Sequence, residues 1–471
     1  MTSARQVQMR RYRFGPRNHR GTLGGLGWGQ VLLVFVAVAT SVLILRSGRG
    51  VIGAVTAFLV SLAGIALATW PIAGRTAQQW LPVAARFASA ALFRMHRGVS
   101  YGAPAPTSPR ATRPFEDLVI VPVETAHGQV GVVIDRARRS MSAMLSLSGS
   151  PFVLLDDDAR QQIADAWAGV LRAIAQQAGY LYRLSWIERT IPDHALVLGS
   201  AAAAAFVSSS TDALSEARRS YLSLLDRESA GSFRHESLLV VTVRGKVNSR
   251  GELPSALVET LNAVATRCIE GGLGVAVVIA PEGVRSIVAR SFVPSATLPR
   301  GNHVFPLSTL EEWSALCTDG TWHATYWVAE WPRSDVGNDF LLPFLLESGF
   351  RRSIVVVMAP QAITHAVRDA ERARTEKAAD FDLRRRHGFA QTARALREQD
   401  AINRRESELA AGHGAFRFGG YVVVTAATRT ALELDCARTE QAAARAHLSL
   451  RRLYGAQREA LLYGLPLGRG L

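Results

Sequence analysis

Apolar positions along this chain follow two regimes. Up to about residue 75 they are continuous: neither Gln30 to Leu45 nor Val51 to Ile72 contains a charged residue. The second run reaches the roughly 20 residues that cross a bilayer core, and the first approaches that length when extended back through Gly27 and Trp28. Only Arg46-Ser47-Gly48-Arg49-Gly50 separates them. The pattern therefore predicts a tight antiparallel transmembrane hairpin over residues 26–75. Past it, Thr76 to Arg97 reads as an amphipathic interfacial helix, with Trp80, Ala84, Phe87 and Ala91 on one stripe, Arg75, Arg86 and Arg97 on the other side, and Pro82 in the first turn. Residues 98–115, rich in Pro, Ser and Ala without apolar periodicity, read as a linker.

From residue 116 the runs shorten and alternate in type. Leu118 to Val123, Val130 to Asp135 and Ser142 to Ser148 read as a small antiparallel group, followed by a helix over Asp158 to Gln177. Strands over Leu181 to Arg189, Ser237 to Val243 and Val275 to Ile279 alternate with helices over Asp212 to Asp226, Leu253 to Glu270 and Glu282 to Phe292. A Pro/Gly-containing stretch from Pro294 to Pro306 suggests a break between subdomains at 116–300 and 301–471. Beyond it come an aromatic block, Trp322 to Pro332, a helix near Phe340 to Glu347 and an apolar strand, Ile354 to Met358. Residues 364–411 read as long charged helices turning at His387-Gly388, after which Tyr421 to Ala426 returns to strand and Thr430 to Tyr454 to helix. The fold class is mixed α/β (α+β), preceded by a two-helix membrane hairpin.

Charge assigns the hairpin a direction. Residues 1–115 hold fourteen arginines and no Lys, Asp or Glu, while the rest sets the other 40 of 54 basic residues against all 39 acidic ones. The excess of +15 is thus concentrated beside the apolar runs. The basic arm, residues 1–25, carries Arg5, Arg10, Arg11, Arg13, Arg17 and Arg20, and Arg75, Arg86, Arg94 and Arg97 follow the hairpin, against two arginines in its loop. By the positive-inside rule both flanks face the cytoplasm, which predicts a two-pass protein of the cell membrane with cytoplasmic termini and contacts to anionic headgroups. We take Arg10, Arg11, Arg13, Arg17, Arg20 and Arg75 as topology residues. A secretory signal is disfavoured because LILRSGR (43–49) offers no small-x-small cleavage site and a second span follows directly.

Catalytic signatures are missing. Gly245-Lys246 is followed by Val247 and lacks the preceding glycine of a phosphate loop. The glycines at 21, 24, 25, 27 and 29 sit at a membrane entry, where they suit close helix packing better than a dinucleotide loop. Cys268, Cys317 and Cys436 lack metal spacing and read as buried thiols of a reducing compartment. Asp156-Asp157-Asp158 precedes a helical pattern, where carboxylates cap free N–H groups. The eleven histidines form no H-x-x-x-H pair. No catalytic, cofactor-binding or metal-binding residue is assigned, and the chain is expected not to be an enzyme.

Several segments nevertheless come in a familiar order: YLYRLSWIERTIPD from Tyr180, RHESLLVVTV from Arg234, TYWVAEWPRSDVGNDFLLPFL from Thr325, RRSIVVVMAP from Arg351, RRESELAAGHGAFRFGGYVVVTA from Arg404, and the final LPLGRGL. Over roughly residues 140–471 the chain resembles the non-catalytic N-terminal domain of the VirB/TraC-type ATPases of type IV secretion and conjugation. Its N-terminal quarter, with RRYRF at 10–14 and two close spans, resembles the PrgI-like membrane component of the same machines. Fifty-two arginines to two lysines suit a GC-rich actinobacterial genome. The resemblance implies a non-enzymatic inner-membrane scaffold, oligomeric in its assembly, that anchors other membrane subunits and docks a separate P-loop ATPase. Trp327, Trp331, Pro332, Leu465, Pro466 and Leu467 are its candidate partner-docking residues. Direct nucleic-acid contact stays open, with Arg384 to Arg386 and Arg451-Arg452 as local basic patches. Alternatives are an EccE-like component of a type VII system and a membrane-tethered enzyme.

Overall fold

A computed structural model describes residues 28–47, 50–69, 77–92, 97–99, 115–126, 128–149, 152–176, 181–192, 233–245, 252–292, 304–347, 349–386, 400, 403–404, 406–408 and 414–471. The basic arm with its topology residues, Arg75, the expected helix at 212–226 and the turn at His387-Gly388 lie outside them. The chain forms two compact units, one of residues 16–96 with 454–456 and one that takes in 97–453 and 457–471.

In the first unit, α1 (Trp28–Arg46) and α2 (Gly50–Thr69) pack antiparallel. Their seam is built from small residues: Ala37 and Ser41 on α1 meet Ala57, Ser61 and Gly64 on α2, and Gly53 and Ala68 are buried as well. A Cβ placed on Gly64 would stand 2.2 Å from that of Ala37. Ser41 Oγ donates to the carbonyl of Ala57 at 2.8 Å and accepts from Ser61 Oγ at 2.7 Å, while Gln30 Nε2 donates to the carbonyl of Ala68. Leu32, Phe35, Leu43, Ile52, Phe58 and Leu62 point outward and are exposed. Gly50–Ala68, with a mean hydropathy of 2.4, is the one described helix both long and apolar enough to cross a membrane; Gln30–Arg46 falls short in length. Next, α3 (Ala77–Leu92) carries Pro82 as its sixth residue, inside the helix rather than in the first turn where it was expected. Its half-buried stripe is Trp80, Val83, Phe87 and Ala90, so Ala84 and Ala91 are displaced from the expected face.

The second unit is a mixed α/β body built on one large antiparallel sheet of 13 strands. Its first part contains β1 (Arg97–Val99), β2 (Leu118–Thr125), β3 (Gly128–Asp135), β4 (Ser140–Ser148), α4 (Asp157–Gln176), β5 (Leu181–Pro192), β6 (Phe233–Arg244), α5 (Glu252–Glu270), β7 (Val275–Val278) and α6 (Pro281–Phe292). Its second part contains β8 (Ser308–Glu311), β9 (Leu316–Thr318), β10 (Thr321–Glu330), α7 (Leu342–Leu345), β11 (Arg351–Gln361), α8 (Ile363–Arg386), β12 (Ala415–Ala426), α9 (Arg429–Arg445), β13 (Ser449–Arg452) and α10 (Gln457–Leu461). Asp156 caps α4 as expected, its Oδ1 accepting from the amide of Ala159 at 2.8 Å. Two expectations fail here. The helix foreseen to Tyr454 ends at Arg445, because His447 takes φ +55° and Ser449–Arg452 pairs with β10. The helix near 340–347 contracts to four residues.

Apart from the short β1, which pairs outside β8, strand order reads alike from either end: β2-β3-β4-β6-β5, then β11-β12-β10-β9-β8, with β7 beside β4 and β13 beside β10. An internal pseudo-dyad therefore passes between β5 and β11. Register fixes its equivalences: Arg183 pairs with Thr242 as Arg351 pairs with Thr425, and Ser142 pairs with Thr242 as His323 pairs with Thr425. Across the axis the pairs Ser353 with Arg189 and Val357 with Ser185 are dyad mates. Residues before and after 300 thus share one sheet, and the core beneath α6 and α10 draws on both sides of the expected boundary.

Alternation along the strands sends side chains to two faces. One face packs under α6, α10 and the segment after it, with Met144, Ile187, Val240, Val355, Tyr421 and Val423 as its floor. The opposite face carries two cores, one of Leu184, Leu239 and Val241 beneath α4 and α5, the other of Ile354, Val422 and Val424 beneath α7 and α9. Because both faces are covered, the central strands β6 and β12 read as nearly continuous apolar runs.

Candidate functional site

On the face beneath α6 and α10, the centre of the sheet is polar, and residues 462–470 lie over it. Gly464 crosses Val423 of β12, and Gly468 reaches Ser142 and Thr242 of β4 and β6. Gly470 returns to Val357 and Tyr421, and Tyr421 accepts from the amide of Leu471 at 2.9 Å. The segment thus clasps both halves of the sheet. Glycine is required at 468, where φ is +68° and a Cβ would stand 2.1 Å from Ser142 Oγ.

Two arginines secure the clasp. Arg469 Nε donates to Asp135 Oδ2 at 2.6 Å, with the two side chains 4% and 2% exposed. Arg183 Nη1 donates to the carbonyl of Gly468 at 3.1 Å. Asp135 also accepts from the amide of Arg138, which ties the β3–β4 turn to the same point.

Outboard of the clasp, Arg183 and Arg244 both lie over the ring of Tyr182, at 4.3 and 5.0 Å from its centroid, and both donate to its hydroxyl, at 2.8 and 3.1 Å. Burial alone would raise the Tyr182 pKa, but the charges of Arg183 and Arg244 and their hydrogen bonds hold it below its ordinary value. Arg183 is itself lowered, chiefly by burial, with Arg138 and Arg244 adding repulsion.

At the dyad-related position the polar centre is closed. His323 is fully buried between Thr318 and Thr425, with its nitrogens 2.7 and 3.0 Å from the two hydroxyls. Burial, with the nearby charge of Arg351, pushes its pKa down to about 3, so the ring is neutral. A cavity of about 20 Å³ beside it is lined by Arg189, Ser291, Arg351, Ser353 and Thr425. Arg189 bonds Glu236 and donates to the carbonyl of Ile287 and the hydroxyl of Ser291 on α6.

The expected docking residues are dispersed. Leu465, Pro466 and Leu467 are buried in the core beneath α10, because the LPLGRGL segment folds back onto its own sheet. They offer no docking surface, which corrects that expectation. Trp327 is half-buried against the same core, with Arg451 over its ring at 5.8 Å. Trp331 packs on the opposite face, 5.5 Å from the ring of Phe418, and Pro332 beside it is buried. Strict alternation would leave residues four apart on one face, but the register shift between Val328 and Glu330 and the end of β10 at Glu330 turn the two tryptophans to opposite sides. Burial pushes Cys268 and Cys436 up to about 11, and raises Cys317, as suits structural thiols. Among the described residues no three His, Cys, Asp or Glu side chains stand together as metal ligands. An open depression of about 430 Å³ beside α7 is lined by Asp339, Phe340, Arg445 and His447.

Sequence reading missed the Asp135, Tyr182, Arg183, Arg244 and Arg469 constellation. Its members lie on four separate stretches of chain, so no local spacing marks them. No family model and no curated protein matches this chain.

Proposed function

We propose that this chain is a non-enzymatic membrane scaffold of a type IV, conjugation-like secretion apparatus. In this reading residues 26–75 cross the cytoplasmic membrane twice and the sheet unit seats a separate P-loop ATPase on the cytoplasmic side. The observation that carries the membrane part is the inverted packing of α1 on α2. Small residues and paired serines fill the seam while large apolar side chains face outward, as lipid-exposed helices require and a water-exposed pair does not. The 19 residues of α1 approach bilayer length, and the arginines on both flanks favour a common cytoplasmic side. The secretion part rests on the ordered segments that resemble a VirB/TraC-type N-terminal domain.

The test is affinity purification of the full chain from detergent-solubilised membranes of its native host. A Walker-containing ATPase should co-purify, and deletion of residues 116–471 should abolish DNA or protein transfer. Recovery of the chain without such an ATPase, with transfer intact after the deletion, overturns the secretion reading. Cysteine labelling from the two sides of the membrane, at positions before α1 and in the sheet unit, separately tests the topology; opposite sidedness would overturn the hairpin.

A further inference from the structure

The cavity of about 20 Å³ near His323 is walled by hydrogen-bond donors. Arg189 of β5 and Arg351 of β11 bring guanidiniums, which donate and never accept. Ser291, Ser353 and Thr425 add hydroxyls, and no carboxylate lines the space. Val423 and Leu465 of the clasp close it with apolar surface. The neighbouring Arg352 and Glu188 alternate to the opposite face of the sheet, where Arg352 donates to the carbonyls of Phe344 and Glu347 and Glu188 bonds His235.

Positive charge is concentrated around this cavity. Arg189, 3% exposed, directs Nε and Nη2 to Glu236 and Nη1 to Ser291 and the carbonyl of Ile287. Arg290 and Arg234 stand close enough to repel it, and Glu236 balances one of these charges. Arg351 donates to the carbonyl of Arg290, whose own Nε is buried without a hydrogen-bond partner. Burial, with the charge of Arg189, brings the Arg351 pKa down to about 10. A space of this size takes one small guest and excludes phosphate, sulfate or a carboxylate. A guest ringed by donors must accept from all of them. A spherical anion does so from any direction, whereas a water brings two protons of its own that need acceptors.

We propose that this cavity binds a single chloride ion, held between Arg189 and Arg351 with Ser353 and Thr425 as neutral donors. Neutral His323 then carries its proton on Nδ1 and donates to Thr425, which frees the Thr425 hydroxyl proton for the ion. Arg189 belongs to the first half of the sheet and Arg351, Ser353 and Thr425 to the second, so the ion ties the halves together where β5 meets β11. The inference stands independently of the scaffold reading, since it uses residues of the sheet unit alone.

Thermal unfolding of the full chain in nonionic detergent, with chloride replacing gluconate at constant ionic strength, tests it. The midpoint should rise and saturate, by about 2–4 °C once chloride stands at roughly a hundredfold excess over its Kd, and bromide should reproduce the rise. In crystals grown with bromide, anomalous scattering should place an ion between the guanidiniums of Arg189 and Arg351. Arg351→Gln should remove both the halide response and that peak. Ser353→Ala, which leaves every charge in place, should move the response to about tenfold higher chloride. Arg445→Gln, which removes a cation from another surface, should keep both signals. Equal midpoints in chloride and gluconate would overturn the proposal and leave the cavity to water. A full halide response in Arg351→Gln would overturn it as well, by assigning the effect to general screening, and so would bromide found only elsewhere on the chain.

Discussion

A carboxylate and a guanidinium withdrawn from water together, as Asp135 and Arg469 are, make each other's burial tolerable and each other's removal costly. Arg469→Gln should lower the stability of the sheet unit by about 3–5 kcal/mol, measured by denaturant unfolding, because it leaves Asp135 charged in the interior. Gly468→Ala should cost about 1–3 kcal/mol from backbone strain at positive φ, before its collision with Ser142 is counted. His323 gives the unit a pH dependence of definite sign. Its ring protonates near 6.5 when unfolded but only near 3 when buried. The unfolded chain therefore holds the extra proton between those values, and stability is full above pH 6.5 and falls as pH drops toward 3, by about 1.4 kcal/mol per unit. In His323→Gln this part of the slope should vanish from a pH series of unfolding midpoints. Glu433, brought down to about 2 by its bonds to Arg452 and Arg429, adds a separate acid-side loss between its ordinary range and that value, screened by its exposure.

Single residues gain these roles through the elements that carry them. α1 and α2 illustrate an element pair whose sequence fixed its type but not its contact. Charge-free length predicts two helices, whereas which face of each meets the other follows from where Ala37, Ser41, Ala57 and Gly64 fall. Gly64→Leu should force the pair apart, and an Ala37→Cys/Gly64→Cys variant should form a disulfide on mild oxidation; failure to cross-link would contradict the seam. Among the strands, β4, β5, β6 and β11 were legible because alternation or apolar runs mark them. β13 was not, since Ala, Leu and Arg around residue 445 favour helix and the strand exists through its pairing with β10. β8 and β9, of four and three residues, carry too few positions for a period to show.

At the scale of the molecule, the pseudo-dyad makes each half the partner of the other. β5 and β11 pair along most of their length at the axis, and the clasp then crosses from one half to the other. A fragment of residues 116–300 would expose the β5 edge and lose the clasp that covers its Ser142–Thr242 pair. We expect that fragment to aggregate when expressed alone, and the complete sheet unit to unfold in one transition seen alike by far-UV and near-UV circular dichroism. A folded, soluble 116–300 fragment would show that the halves are independent.

Composition and periodicity alone determined much: an acid-free basic segment around two apolar runs, a mixed α/β region after residue 116, and the type of most elements. These properties are local, since a helix or strand advertises itself within a dozen residues. Tertiary structure decided that both halves share one sheet and that LPLGRGL is core rather than docking surface. It also decided that Arg183 and Arg244 meet at Tyr182, that Arg183 holds Gly468, and that Asp135 meets Arg469. Strand order, register and the path of the clasp depend on contacts between residues hundreds of positions apart, which no local period encodes.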